Sequence, residues 1–210
     1  MHRKINLEKH KNKNRAEIYW DSRYKENNAG WDLGSVSTPL KEYIDQISNK
    51  NLKVLIPGAG NAYEAEYMHL LGFKNVYVLD ISKTAINNFT KRFPDFPEEY
   101  IICGDFFTHE GEYDLILEQT FFCAIDPTDR GKYSEKIYSL LKENGKLAGL
   151  LFNHVFDKEG PPYGGTADEY RTYFDGKFEY RIFETAYNSI KPRAGRELFI
   201  NLVKKQILQS

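Results

Sequence analysis

Two glycines, three carboxylates and an amide recur at the ends of apolar runs, where they could hold a nucleotide-like ligand. Gly58 and Gly60 follow Val54-Leu55-Ile56-Pro57, and Asp80 closes the run Val76–Leu79. Asp105 follows Tyr100–Cys103, and Glu118-Gln119 follow Tyr113–Leu117. Glycines let a backbone approach a ligand closely, and an acid about 20 residues further on can accept from ribose hydroxyls. Asp105 is placed to accept from an adenine amino group, with Phe106 against the ring. Gln119 lies where an acceptor site would open. Each carboxylate has a plainer reading as a helix cap or turn residue; the set of Gly58, Gly60, Asp80 and Asp105 in register favours the ligand.

The turn also excludes some ligands. The third glycine of a dinucleotide fingerprint is absent, because position 63 is tyrosine. That position permits close helix–strand packing beside a pyrophosphate, so Tyr63 disfavours a nicotinamide dinucleotide. No Gly-Lys-Ser/Thr follows, which excludes a Walker-type phosphate loop. A ligand with adenosine and no diphosphate fits, and S-adenosyl-L-methionine is one. No cysteines or histidines stand at metal-ligand spacing.

These residues need a scaffold. Val54–Asp80 reads as strand, glycine turn, helix and strand, one half of a nucleotide-binding α/β sheet. A helix over 81–92 follows, capped by Ser82, then strands at Tyr100–Cys103 and Tyr113–Glu118. A long helix opens around Asp126-Pro127 and Arg130 and ends at Asn144-Gly145, before a fifth strand over Lys146–Phe152. The stretch 157–166 is a glycine- and proline-rich loop, followed by a short helix at Ala167–Phe174. The runs Phe178–Tyr187 and Glu197–Lys204 have no helix between them, so they pair antiparallel. Upstream, Ile18, Tyr19, Trp20 and Tyr24 share a helical face, and Leu40, Tyr43, Ile44 and Ile47 share another. Trp20 and Trp31 either staple this segment to the sheet or form a lid over the ligand.

At 210 residues the chain is expected to be one domain over 16–210, with a helical lid at 16–50 and a mobile basic tail at 1–15. A formal charge of −1 argues against a nucleic-acid surface. The two cysteines, Cys103 and Cys123, and the absence of an apolar leader or membrane-length window point to the cytoplasm. The chain is expected to act as a monomer.

Several motifs occur together in order: Trp20-Asp21-Ser22-Arg23-Tyr24, Gly30-Trp31-Asp32-Leu33-Gly34, Val54–Gly60, Gly104-Asp105-Phe106-Phe107, Thr120–Ile125 with Asp126-Pro127 and Arg130, Gly160-Pro161-Pro162-Tyr163, and Gly195-Arg196-Glu197. Through them the chain resembles the thiopurine S-methyltransferase-like superfamily and is most similar to its halide/thiol (thiocyanate) methyltransferase branch. The resemblance implies a class I methyltransferase fold (Rossmann-like): a seven-stranded, mostly parallel sheet with an antiparallel C-terminal hairpin. It implies that Trp20, Tyr24 and Trp31 bind the cofactor and close the site, with Tyr24 standing where plant relatives often carry tryptophan. Gly58, Asp80, Asp105 and Phe106 match cofactor-binding positions. Gln119 stands near the methyl group, where plant relatives have tyrosine.

The implied reaction is methyl transfer from S-adenosyl-L-methionine to a small soft nucleophile: a thiol, a halide or a thiocyanate-like anion. Such displacement needs positioning and desolvation and no dedicated base, which suits a chain without an evident His/Asp dyad. Phe121, Phe122 and the loop at Pro161–Tyr163 would form an apolar acceptor pocket. Arg130 either draws an anionic acceptor there or is a helix-start surface residue. Cys123, in an apolar run, reads as an inert buried thiol. The alternatives are methylation of oxygen or nitrogen on a small metabolite, or non-catalytic binding of the cofactor.

Overall fold

The structure, a computed structural model, describes residues 15–157 and 159–206. Of the expected basic tail, residues 1–14 lie outside the described residues. Helix α1 covers residues 15–25. Then follow α2 (Thr38–Asp45), β1 (Lys53–Pro57), α3 (Tyr63–Leu70), β2 (Asn75–Asp80), α4 (Lys83–Arg92), β3 (Ile101–Cys103) and β4 (Tyr113–Gln119). The chain continues through α5 (Arg130–Leu140), β5 (Leu141–Phe152), α6 (Ala167–Phe174), β6 (Phe178–Thr185) and β7 (Glu197–Lys204).

The seven strands form one sheet in the order β3-β2-β1-β4-β5-β7-β6. β1 to β5 run parallel, and β7 pairs antiparallel with both β5 and β6. This is the expected arrangement, a class I methyltransferase-like α/β sheet with a C-terminal antiparallel hairpin. The strand order reverses between β1 and β4, which opens a crevice at their carboxyl ends.

Both faces of the sheet are covered, as alternation along the strands requires. Val54 and Ile56 of β1 join Leu115 and Leu117 of β4 in a core with Leu40, Met68 and Phe89. Leu55 and Ile116 point the other way, into a core with Phe122, Tyr133, Ile137 and Phe174. Ser82 caps α4, its hydroxyl accepting from Ala85 N–H at 3.1 Å.

β6 ends at Thr185 rather than Tyr187, and the largest boundary difference lies at the α5–β5 junction. The fifth strand begins at Leu141, where it pairs with Tyr113, rather than at Lys146. Asn144 has φ +59, and the register shifts between Tyr113 and Leu115. A left-handed Asn-Gly serves equally as a helix stop and as a strand bulge. Here it is the bulge, because Leu141 finds a strand partner before the chain leaves the sheet.

Candidate active site

The glycine turn sits at the switch point. Gly58 and Gly60 adopt φ +58 and +54, backbone that non-glycine residues rarely adopt. Side chains close over both. A Cβ on Gly58 would overlap the Phe121 ring, and one on Gly60 would overlap the Tyr24 hydroxyl. The turn is therefore glycine for conformation and for space.

Asp80 ends β2 and is buried. One carboxylate oxygen accepts from Gly60 N–H at 2.8 Å and the other from Ser82 N–H at 2.7 Å. Burial pushes its carboxyl above the usual carboxylate range, against those two hydrogen bonds and a third from the Ile81 backbone. Asp80 thus ties the glycine turn to the start of α4, and its carboxylate keeps acceptor capacity for a ligand hydroxyl.

The N-terminal segment lies over this turn. Trp20 and Tyr24 each meet Trp31 edge to face, with ring centroids 5.3 and 5.8 Å apart. Tyr24 is buried, and its hydroxyl accepts from Trp31 Nε1 at 3.4 Å. Burial, reinforced by the Asp80 charge, pushes its phenol well above the ordinary value. The segment is also pinned at points that sequence reasoning left without a role. Asp21 accepts from Ser82 Oγ at 3.0 Å and Thr84 N–H at 2.8 Å, so α1 docks onto the N-terminus of α4. Burial acts to raise the Asp21 carboxyl; hydrogen bonds from Lys25 and Thr84 outweigh it and hold it well below its usual range. Arg193, between β6 and β7, donates to Trp31 O at 2.6 Å and to Glu197 at 3.0 Å. The only sequence signal for Asp21 was its place inside an aromatic motif; Arg193 had none.

Gln119 ends β4 and accepts from Ser37 Oγ at 3.1 Å. Thr120 follows with φ +57, an uncommon backbone for a β-branched residue, held by its N–H to Leu150 O at 3.0 Å. The chain turns sharply there, and the next two aromatics part company. Phe121 lies over Gly58 and meets Phe106 at 5.2 Å. Phe122 is fully buried against Tyr133, Tyr170 and Phe174. The expectation that Phe122 lines an acceptor pocket is therefore corrected: Phe121 is the ring at the crevice.

Arg130 is corrected likewise. It is 1% exposed. It donates to Glu169 at 2.8 Å and to the carbonyls of Tyr163 and Gly164 at 3.3 and 3.0 Å. Its guanidinium also lies over the rings of Phe122 and Tyr170. It anchors the 160s loop and is not open to a ligand. Asp105 caps the turn after β3, accepting from Phe107 N–H at 2.9 Å, and Phe106 turns into the core. Cys123 is buried, and burial pushes its thiol up to about 12, which fits the inert reading.

Glu118 is a second buried carboxylate. It accepts from Phe122 N–H at 3.0 Å and from the Tyr133 hydroxyl, fixing the turn that carries Gln119 and Phe121. Burial pushes it up to about 7. The titratable groups facing it are Tyr133 and Cys123. Glu118 binds its proton more tightly folded than unfolded. Its contribution to stability is therefore fully present below about 4.5 and lost as pH rises through about 7. The melting temperature is expected to fall between about pH 5 and pH 8, and Glu118→Gln to flatten that slope. A slope unchanged by the substitution would remove Glu118 as its source.

Tyr24, Trp31, Gly58, Gly60, Gln119 and Thr120 meet around one cavity of about 60 Å³. Ligand pockets run to roughly 300–1,000 Å³, so this cavity as it stands is smaller than one that holds a whole cofactor. A larger cleft of about 430 Å³ lies at the opposite end of the strands, beside Asp114, Lys146 and Asn201, away from the glycine turn.

The model of the family described as Thiopurine S-methyltransferase matches residues 15–208. The chain belongs to the thiopurine S-methyltransferase family. It is 34% identical over 161 residues to a "Probable thiol methyltransferase 2" of Arabidopsis thaliana, across 72% of this chain and 69% of that protein. It is 29% identical over 185 residues to the "Thiocyanate methyltransferase 1" of Brassica oleracea, across 85% and 81%. In fold it is similar to the 1,6-didemethyltoxoflavin-N1-methyltransferase of Burkholderia thailandensis, at TM-score 0.68 and 18% identity, over 90% and 87% of the two chains. This member of the family is a methyltransferase that uses S-adenosyl-L-methionine. Among its described residues no helix is long and apolar enough to cross a membrane.

Proposed function

We propose that this methyltransferase passes the methyl group to a small thiol or a thiocyanate- or halide-like anion, and that the cofactor lies across the turn at residues 58–60. The observation that carries the placement is Asp80, a buried carboxylate at the switch point whose backbone hydrogen bonds leave it acceptor capacity for a ribose hydroxyl. S-adenosyl-L-methionine, when bound, supplies a methyl group already activated by its sulfonium charge. Gly58 and Gly60 let the backbone approach it, Asp80 orients it, and Asp105 with Phe106 border its base. Trp20, Tyr24 and Trp31 cover it and exclude water, which strengthens a soft nucleophile by stripping its hydration. Gln119 and Phe121 border the acceptor side.

Residues 16–210 act as one domain with 16–50 as its cover, and the domain works as a cytoplasmic monomer without a nucleic-acid partner.

Calorimetric titration with S-adenosylhomocysteine, then a product screen with iodide, thiocyanate, bisulfide and an aromatic thiol, tests this. Turnover of oxygen or nitrogen acceptors alone would refute the soft-nucleophile reading. Asp80→Ala is expected to weaken cofactor binding by about 1.5–3 kcal/mol, roughly 10- to 150-fold. Unchanged affinity would remove Asp80 from the cofactor site.

A further inference from the structure

Glu64 has no assigned part in the site described above. It stands second in α3, immediately after the glycine turn, and is 5% exposed. It walls the same cavity as Gly58, Gly60, Trp31 and Gln119. Among the described residues, the charged side chains lining that cavity are Asp32 and Glu64, and no basic side chain lines it.

Asp32 is held at both oxygens by its neighbours. One oxygen accepts from Gly34 N–H at 2.7 Å, and the other from the Asn61 amide and from the Tyr63 hydroxyl at 3.5 Å. Glu64 is held more loosely, by Ser37 N–H at 3.3 Å and by its own backbone N–H. Arg193 is the cation that acts on it, and the Arg193 guanidinium is committed to Glu197 and to Trp31 O. A carboxylate buried without a paired cation costs several kcal/mol unless it stays protonated. Burial does push Glu64 up, to about 7. A cationic ligand group would offset that cost, and the cofactor's amino-acid end carries one.

We propose that Glu64 receives the α-ammonium group of the cofactor's methionine moiety and so selects for a cofactor that bears it. The inference rests on the cofactor placement given above. It makes Glu64 a binding residue, and no bond is made or broken at it. The hydrogen bond that Gln119 accepts from Ser37, whose N–H meets Glu64, joins both sides of the cavity, so the same loop registers the cofactor's amino end and the acceptor side.

The test compares three ligands by calorimetry on the full chain: S-adenosylhomocysteine, its analogue lacking the α-amino group, and 5′-methylthioadenosine, which lacks the whole amino acid. The wild-type chain is expected to bind the first about 10- to 100-fold more tightly than the deaminated analogue, the range for a charge-assisted hydrogen bond. In Glu64→Gln that preference should shrink to within about threefold, while 5′-methylthioadenosine binds both proteins alike. Wild-type indifference to the amino group, or a preference that survives Glu64→Gln, would overturn the proposal. So would a Glu64→Gln chain that no longer folds, since the carboxylate would then be structural. Failure of the wild-type chain to bind any of the three would instead refute the cofactor placement itself.

Discussion

Alanine in place of Gly58 is expected to destabilise the chain by about 2–5 kcal/mol and to weaken cofactor binding beyond easy detection. Two costs combine. A left-handed backbone costs an L-residue roughly 1–2 kcal/mol, and Gly58 sits at φ +58. The new methyl group would also overlap the Phe121 ring, and overpacking costs about 1–3 kcal/mol. Gly34 separates the two effects. It has φ +71, and nothing lies within 4 Å of an added Cβ. Gly34→Ala should therefore show the backbone cost alone, about 1–2 kcal/mol, with cofactor affinity kept. Denaturant melts and calorimetry on both variants check this. Equal losses at the two positions would mean that the approach of Phe121 does not constrain the turn.

Arg130→Ala is expected to cost about 3–5 kcal/mol of stability, the scale of two or three hydrogen bonds to a charged group. Glu169 is 40% exposed and can be rehydrated. The Tyr163 and Gly164 carbonyls would lose their donor, and the Phe122 and Tyr170 rings would lose the cation above them. Arg130→Lys should also destabilise, because a single ammonium cannot reproduce the fork. The measurement is the melting temperature beside the KM for the acceptor. A raised KM at unchanged melting temperature would restore Arg130 as a group that attracts an anionic acceptor.

Both predictions concern a site whose scaffold is unusually easy to read in the chain and whose walls are not. The motif from Val54 to Asp80 appears in the fold with the strand, turn, helix and strand expected of it. Ser82 caps α4 as expected, and β7 covers the residues assigned to it. These features are local. Apolar runs, glycine breaks and caps act over a few residues, so their types and spacing are enough to place them.

The walls depend on contacts between segments distant in sequence. Phe121 and Phe122 are adjacent and identical in type, and only the left-handed turn at Thr120 decides which one faces Gly58. Arg130 follows Asp126-Pro127 at what reads as a surface helix start; α6 and the 160s loop pack over it and bury it. Asp21 reaches Ser82 and Thr84 across more than 60 residues, and Arg193 reaches Trp31 across 162. Asn144-Gly145 fits a helix stop or a bulge equally well until β4 supplies a strand partner.

The sequence by itself therefore determined the α/β class, the strand order's raw material, the glycine turn and the acid that closes β2. Each of these follows from periodicity and backbone freedom along a short stretch. Only the tertiary structure decided which aromatic ring faces the turn, which charges are buried and paired, and that Glu64 borders the cavity. Burial and pairing are properties of neighbours in space, and the same side chain titrates, packs or binds according to what the rest of the chain brings against it.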